Sequence, residues 1–327
     1  MISVAIVGAT GVVGEMFLKV LEEKNLNIDK YTLFASRKSK GKKVNFMNNE
    51  YEVQELTEDS FKDEHFDYAL FSAGGSTSEK YAKIAAQNGC IVIDNSSFFR
   101  MDKTVPLIVP QVNMEDAYEH FNIIANPNCS TIQAVLPLKA LDEKYKIKRV
   151  IYSTYQAVSG AGKKGIDDLT QNKVEKFPYP INNNCIPQID VFVDNDYTKE
   201  EIKMIEETRK ILKKPKLPVT ATCVRVPVLN SHAESINVEL EYPFKIEDIK
   251  KYLNNFPGII VLDDPEKLIY PLNSFANGTD EVYVGRIRRD YSQENGINFW
   301  CVADNIRKGA ASNAVEILEN LLKKDLE

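Results

Sequence analysis

Residues 123–135, IIANPNCSTIQAV, set one thiol, Cys129, where an apolar run ends and a second, helix-like run begins. Asn128 is a residue type that caps helices and Pro127 restrains the approach, so Cys129 is expected at the first helical position. There the open N–H groups of the first turn favour a thiolate and could hold a developing oxyanion. Such a thiol beside a nicotinamide suits aldehyde or acyl-phosphate chemistry, which also needs an acid or base and cations for anionic groups. The run CVRVPVLNSHAES offers these as Arg225 on an alternating strand and His232 in the turn beyond it. The bland alternative is a core cysteine and a surface histidine. Cys90, Cys223 and Cys301 fit the core reading because they lie in strand-like runs. Cys129 fits it poorly, because its neighbours are polar and it opens an element.

A second constellation lies near the start. GATGVVG places Gly8, Gly11 and Gly14 after one apolar run and at the mouth of an amphipathic one. Glycines so spaced let the backbone approach a pyrophosphate, and the following helix presents its N-terminus to it. Gly8, Thr10, Gly11, Val12 and Val13 are the expected cofactor contacts of this loop. The next strand-like run, YTLFAS, leads into Ser36, Arg37 and Lys38, where an NAD enzyme usually carries an acidic residue for the ribose hydroxyl. A hydroxyl and cations suit a 2′-phosphate, so Ser36 and Arg37 point to NADP. The alternative is a solvated basic loop.

These groups need elements to hold them. Ser3–Val7 reads as a buried strand, and Val12–Lys24 as a helix with Val13, Phe17, Val20 and Leu21 on one face. YTLFAS, DYALFSA and CIVIDNS read as strands, followed by LIVP and NIIAN. STSEKYAKIAAQNG reads as a helix with a serine or threonine start and Gly89 at its end. Strands alternating with helices argue a parallel, doubly wound sheet. Beyond Cys129, RVIYSTYQAV is a long alternating strand, ATCVRVPVL and ESINVELEY a strand pair, and EVYVGRIRRDY and INFWCVAD a hairpin. Long alternating neighbours argue a mostly antiparallel sheet. IEDIKKYLNN and NIRKGAASNAVEILENLLKK read as helices.

Composition narrows the class. The 327 residues suggest two domains, and 41 basic against 47 acidic residues leave a net charge of −6, which argues against nucleic-acid or anionic-membrane partners. No apolar run approaches the roughly 20 residues that span a bilayer. MISVAIVGATG runs straight into a strand pattern, so a mature cytoplasmic chain is expected. Five scattered cysteines without a CxxC pair, and three histidines without ligand spacing, give no expectation of a metal.

The motifs GATGVVG, DNSSFFRMD, PLIVPQVN, NPNCST, TYQAVSGAG, EETRKIL, RVPVLNSH and DNIRKGAA together resemble the aspartate-β-semialdehyde dehydrogenase family along nearly the whole chain. The resemblance implies a Rossmann-type dinucleotide-binding domain over residues 1–128 and 305–327. It implies an α/β catalytic and dimerisation domain over 129–304, and a homodimer, with a homotetramer second. It implies NADPH-dependent reductive dephosphorylation of L-4-aspartyl phosphate to L-aspartate 4-semialdehyde, a step in lysine (through diaminopimelate), threonine and methionine biosynthesis. By the same resemblance Cys129 carries the acyl thioester, Gln156 orients the acyl group and His232 is the acid/base. Arg225 takes the α-carboxylate, Glu207 the α-ammonium, Arg100 and Lys210 the phosphoryl group, and Asn128 lies against the substrate. Ser159, Gly160 and Asn305, the last in the final helix, lie on the nicotinamide side. Read without the family, Glu207 and Lys210 are an i, i+3 pair typical of a solvated helix face. The chain has NNNCIPQ where the family commonly has an apolar run before IPQ, and neither Cys185 nor the 180–190 loop receives a role. Two alternatives stand beside this reading. An N-acetyl-glutamyl-phosphate reductase shares the chemistry, but Glu207 argues for a free amino group. A non-catalytic NADP-binding protein would have no use for the thiol.

Overall fold

The computed structural model describes residues 1–324. Two compact units divide the chain: Met1–Pro127 together with the segment from Ala310, and Asn128–Gly309. Residues 325–327 of the expected nucleotide domain lie outside the described residues.

The first unit holds strands β1 (Ser3–Val7), β2 (Lys30–Ala35), β3 (Lys43–Phe46), β4 (Asn49–Glu52), β5 (Gln54–Glu55), β6 (Tyr68–Phe71), β7 (Ile91–Asp94) and β8 (Ile123–Ala125). Six of them form one parallel sheet in the order β5-β2-β1-β6-β7-β8. β3 and β4 make a separate antiparallel hairpin whose turn residues, Met47 and Asn48, both have positive φ, as a tight hairpin turn requires. Every residue of β1 is buried, because a parallel sheet is covered on both faces. The helix Val12–Lys24 buries Phe17, Leu18, Val20 and Leu21. The helix Ser312–Lys324 adds Ala314, Val315, Ile317, Leu318, Leu321 and Leu322 to the same core.

Three local expectations change. STSEKYAKIAAQNG starts one residue earlier, at Gly75, without a side-chain cap, and widens into a π-turn over Ser78–Ala82. Ser78 is no cap; its hydroxyl donates to Asp94 Oδ1 at 2.6 Å. LIVP forms only a bridge from Leu107 to Ala125 before Pro110 starts a helical turn. Asn305 precedes the final helical segment, which starts at Arg307 with a π-turn.

The second unit holds β9 (Ile147–Gln156), β10 (Val219–Arg225), β11 (His232–Leu240), β12 (Ile259–Val261), β13 (Val282–Asp290) and β14 (Gly296–Ala303). They form one sheet in the order β10-β9-β11-β14-β13-β12. Its three central pairings are antiparallel and its two outer ones parallel. β13 and β14 are the expected hairpin. β10 and β11 are not partners, because β9 lies between them. Their link instead bonds to the chain just after β9, Val228 O accepting from Val158 N and Leu229 O from Ser159 N. The helix Cys129–Tyr145 packs on β9, β11 and β14 and against the helix Lys199–Ile211. Among the described residues, no helix is long and apolar enough to cross a membrane.

Candidate active site

Asn128 caps the helix that starts at Cys129. Its Oδ1 accepts from Ser130 N at 3.0 Å and Thr131 N at 3.3 Å. Cys129 is half-buried, whereas Cys90, Cys223 and Cys301 are buried and Cys185 is exposed. Burial pushes the thiols of Cys90, Cys223 and Cys301 up, in keeping with core residues.

Three neighbouring strand ends supply the next groups. Gln156 ends β9, Arg225 pairs with it in register at the end of β10, and His232 opens β11. All three are buried. Gln156 Nε2 donates to Ser130 Oγ, and Gln133 Nε2 donates to His232 O at 3.4 Å, so the first turns of the Cys129 helix lie against these strand ends. Arg225 Nη1 donates to Ala157 O. Three buried atoms of this group, Gln156 Oε1, Arg225 Nε and His232 Nε2, have no protein hydrogen-bond partner.

His232 Nδ1 accepts from Ala157 N at 3.0 Å. A nitrogen that accepts carries no proton, so the neutral ring carries its proton on Nε2. Burial first, then the charge of Arg225, lowers its pKa from 6.5 to about 3, against smaller opposing effects of Glu200 and the Ser231 backbone. The ring is therefore a neutral N–H donor, and acting as a base at Nε2 would require the tautomer that Ala157 opposes. Ser231 fixes the direction of this side chain from a left-handed conformation, φ 70°. Its N–H donates to Asn305 Oδ1 at 2.9 Å and its carbonyl accepts from Asn273 Nδ2 at 2.7 Å, which holds the strained peptide from both sides. Asn305 also donates to Ser159 Oγ at 3.0 Å.

Glu207 does not belong to a solvated face. It is 1 % exposed and accepts from Asn128 N at 2.6 Å, while Lys210, one turn further on, is half-buried. Two residues that the sequence reading did not single out also stand here. Glu200 accepts from both Asn128 and Gln156. In the sequence it is one acid among several at the start of a helix, next to the capping-box pair Thr198 and Glu201. Gly309 lies so close to Cys129 that a Cβ on it would stand 2.8 Å from Cys129 Cβ. Gly309→Ala must push Cys129 and the segment at 309 apart, and a shift of the thiol by about 1 Å is expected to lower kcat by about 10²-fold, measured by steady-state rates. Gly160 leaves similar room, since a Cβ there would stand 3.1 Å from Arg225 Nη1 and 3.2 Å from His232 Nε2.

In the first unit the glycine loop follows β1. Gly8 has φ +89°, and a Cβ there would stand 2.4 Å from Ser72 O. A Cβ on Gly14 would stand 2.0 Å from Gly8 O, so this turn closes only with glycine at both positions. Gly11 is the N-cap of the helix Val12–Lys24 and offers no side-chain cap, and Thr10 Oγ1 donates to Ser39 Oγ at 3.1 Å. Ser36 and Arg37 are exposed just past β2. Arg100 is buried, with Nε donating to Asn126 O at 2.9 Å and Nη2 to Asn95 O at 3.0 Å. An apolar pocket of about 350 Å³, lined by Tyr179, Cys185, Ile186 and Phe192 among others, contains none of the predicted site residues.

A parallel-sheet unit with a glycine loop, and a second unit in which the helix that starts at a thiol packs on the strand that a neutral histidine opens, define a dinucleotide-dependent oxidoreductase of the semialdehyde dehydrogenase class. Residues 3–120 match the family model "Semialdehyde dehydrogenase, NAD binding domain", and residues 138–308 match "Semialdehyde dehydrogenase, dimerisation domain". The chain is 53 % identical to the aspartate-semialdehyde dehydrogenase of Aquifex aeolicus, over 99 % of this chain and 98 % of that one. The crystal structure of aspartate semialdehyde dehydrogenase II from Vibrio cholerae, complexed with ASA, superposes with a TM-score of 0.95 at 46 % identity, covering 99 % of this chain and 98 % of that one. The Candida albicans enzyme, whose structure is with NADP, superposes at 0.80 with 27 % identity over the whole of both chains. The chain belongs to the aspartate-semialdehyde dehydrogenase family.

Proposed function

We propose that the chain reduces L-4-aspartyl phosphate to L-aspartate 4-semialdehyde, reversibly, with NADPH as the hydride source and a thioester on Cys129. The observation that carries this reading is the set of buried, unpartnered atoms on Gln156, Arg225 and His232 beside the helix that Cys129 opens. Arg225 has the planar fork that binds a carboxylate in a bidentate way. Glu207 meets the substrate ammonium, and Asn128 lies against the substrate. Lys210 and Arg100 hold the phosphoryl group.

The Cys129 thiolate attacks the acyl carbon, and the N–H groups of the helix start steady the oxyanion. The C–O bond to the phosphoryl group breaks, phosphate leaves with the electron pair, and the thioester remains. When bound, the reduced dinucleotide supplies the hydride that turns the thioester carbonyl into an alkoxide. His232 Nε2–H donates a hydrogen bond to that oxygen. The alkoxide then collapses to the aldehyde and releases the Cys129 thiolate.

The glycine loop fits a dinucleotide, because its tight turn brings bare backbone to the start of the helix Val12–Lys24. Gly8, Thr10, Gly11, Val12 and Val13 would hold the pyrophosphate, and Ser36 and Arg37 the 2′-phosphate. Ser159, Gly160 and Asn305 would meet the nicotinamide. We also read the chain as a cytoplasmic homodimer.

Initial rates of phosphate-dependent oxidation test the reading. Aspartate semialdehyde with NADP⁺ is expected to turn over fastest, and omission of phosphate to remove most of the rate. Faster oxidation of N-acetyl-glutamate semialdehyde would reassign the substrate, and equal rates with NAD⁺ would remove the 2′-phosphate assignment from Ser36 and Arg37.

A further inference from the structure

We propose that Glu200 is a positioning residue whose buried carboxylate fixes the two amides beside the reacting thiol, those of Asn128 and Gln156. The inference rests on the thioester reading above. One oxygen, Oε1, accepts from Asn128 Nδ2 and from Gln156 Nε2, each at 2.9 Å. A carboxylate can only accept, so both amides must turn their NH₂ groups toward Glu200. For Asn128 this directs Oδ1 to the N–H groups of Ser130 and Thr131, which is the cap that starts the helix at Cys129. For Gln156 the other N–H goes to Ser130 Oγ, so both donors are used and only Oε1 has no partner. Gln156 therefore offers a bound substrate an acceptor, suited to its ammonium, rather than a donor to the acyl oxygen. An apolar residue at 200 would let the Gln156 amide rotate by half a turn and reverse what it offers, and would leave the Asn128 amide held by the helix cap alone.

Glu200 is itself held firmly. Its side chain is 6 % exposed, Oε2 lies 3.1 Å from Lys203 Nζ, and Lys203 also reaches Asp190 Oδ2 at 3.1 Å. Burial opposes the charge, but Lys203 first, then Gln156 and Asn128, hold the carboxyl down to about 2. Glu234, wholly buried on β11, is shifted the other way: burial first, then the charge of Glu200, pushes its carboxyl well up. A residue at 200 for stability alone would act on the melting temperature without reference to Gln156.

A double-mutant cycle separates the two roles. Glu200→Met, Gln156→Ala and the double variant are made in the full chain, with kcat and KM measured for aspartate semialdehyde and phosphate. Melting with and without NADP⁺ checks folding. We expect Glu200→Met to lower kcat by about 10–100-fold, the scale of a misplaced catalytic group, with KM for phosphate little changed. In the Gln156→Ala background the same change should cost distinctly less, the remainder being the part exerted through Asn128, because coupled residues do not add. Glu200→Gln, which keeps an acceptor oxygen, should recover part of the loss, and it takes the place of Glu200→Met in the cycle if the latter does not fold. Additive losses would overturn the positioning role and leave the thioester reading standing. Full activity of Gln156→Ala would overturn the positioning role together with the assignment of Gln156.

Discussion

Cys129→Ala is expected to reduce turnover by roughly 10⁶-fold, the scale for removing the nucleophile of a covalent mechanism, while dinucleotide binding and the melting temperature stay near native. Loss on that scale follows from the chemistry. Hydride adds readily to a thioester and poorly to a carboxylate, and without Sγ no thioester forms. Cys129 is a half-buried residue at a helix start, so removal of Sγ is expected to cost little stability next to a core truncation. Steady-state rates, titration with NADP⁺ and thermal melting check the three parts. The native protein mixed with acyl phosphate, with no reduced dinucleotide present, should gain the mass of one acyl group, and the alanine variant should not. Cys185, the exposed thiol, serves as control, since Cys185→Ala should keep native rates. Unchanged turnover in Cys129→Ala would end the covalent mechanism.

His232→Ala is expected to lower kcat by about 10²–10³-fold, the cost of a lost donor to a developing oxyanion. His232→Gln places an amide N–H near the same point and should regain about tenfold of that loss. The pH dependence discriminates further. Burial first, then the charge of Arg225, holds the pKa of the ring at about 3 against 6.5 when free, while Glu200 and the Ser231 backbone act the other way. Between those values the folded ring is neutral while the unfolded chain takes up a proton. The resulting cost to stability is absent above pH 6.5 and grows as the pH falls toward 3. Native protein should therefore lose more stability than His232→Gln on acidification from pH 7 to 4, and kcat/KM should show no limb near pH 6.5 that the glutamine variant lacks. A limb there that disappears in His232→Gln would restore the histidine to proton transfer.

Local signals carried most of what could be read in the sequence. Asn128 beside Pro127 marks a helix start through backbone geometry that involves only its neighbours, and the helix from Cys129 begins there. The glycine spacing and the apolar face of Val12–Lys24 are equally local, and that helix has the expected bounds. What escaped depends on residues far apart in the chain. The insertion of β9 between β10 and β11 is decided by pairing across some seventy positions, from Gln156 to Arg225. Glu207 looks like half of a solvated i, i+3 pair until Asn128, far back in the chain, donates its N–H to it. His232 reads as a loop residue because nothing in SHAES announces that it opens a buried central strand. Glu200 stayed hidden for a related reason: an acid in a first helical turn already has a sufficient local explanation in the helix dipole.

The sheet unit built from Met1–Pro127 depends on the helix Ser312–Lys324 for part of its core, whereas Asn128–Gly309 is continuous in sequence. During synthesis this imposes an order. The first strands leave the ribosome early but wait for six apolar side chains encoded after position 312, while the continuous unit can close before those residues emerge. A nascent chain stalled before position 310 would carry a finished catalytic half and an open dinucleotide sheet, the kind of exposed surface that holding chaperones bind. Competence to hold the dinucleotide therefore arrives only once the segment beyond position 310 has emerged.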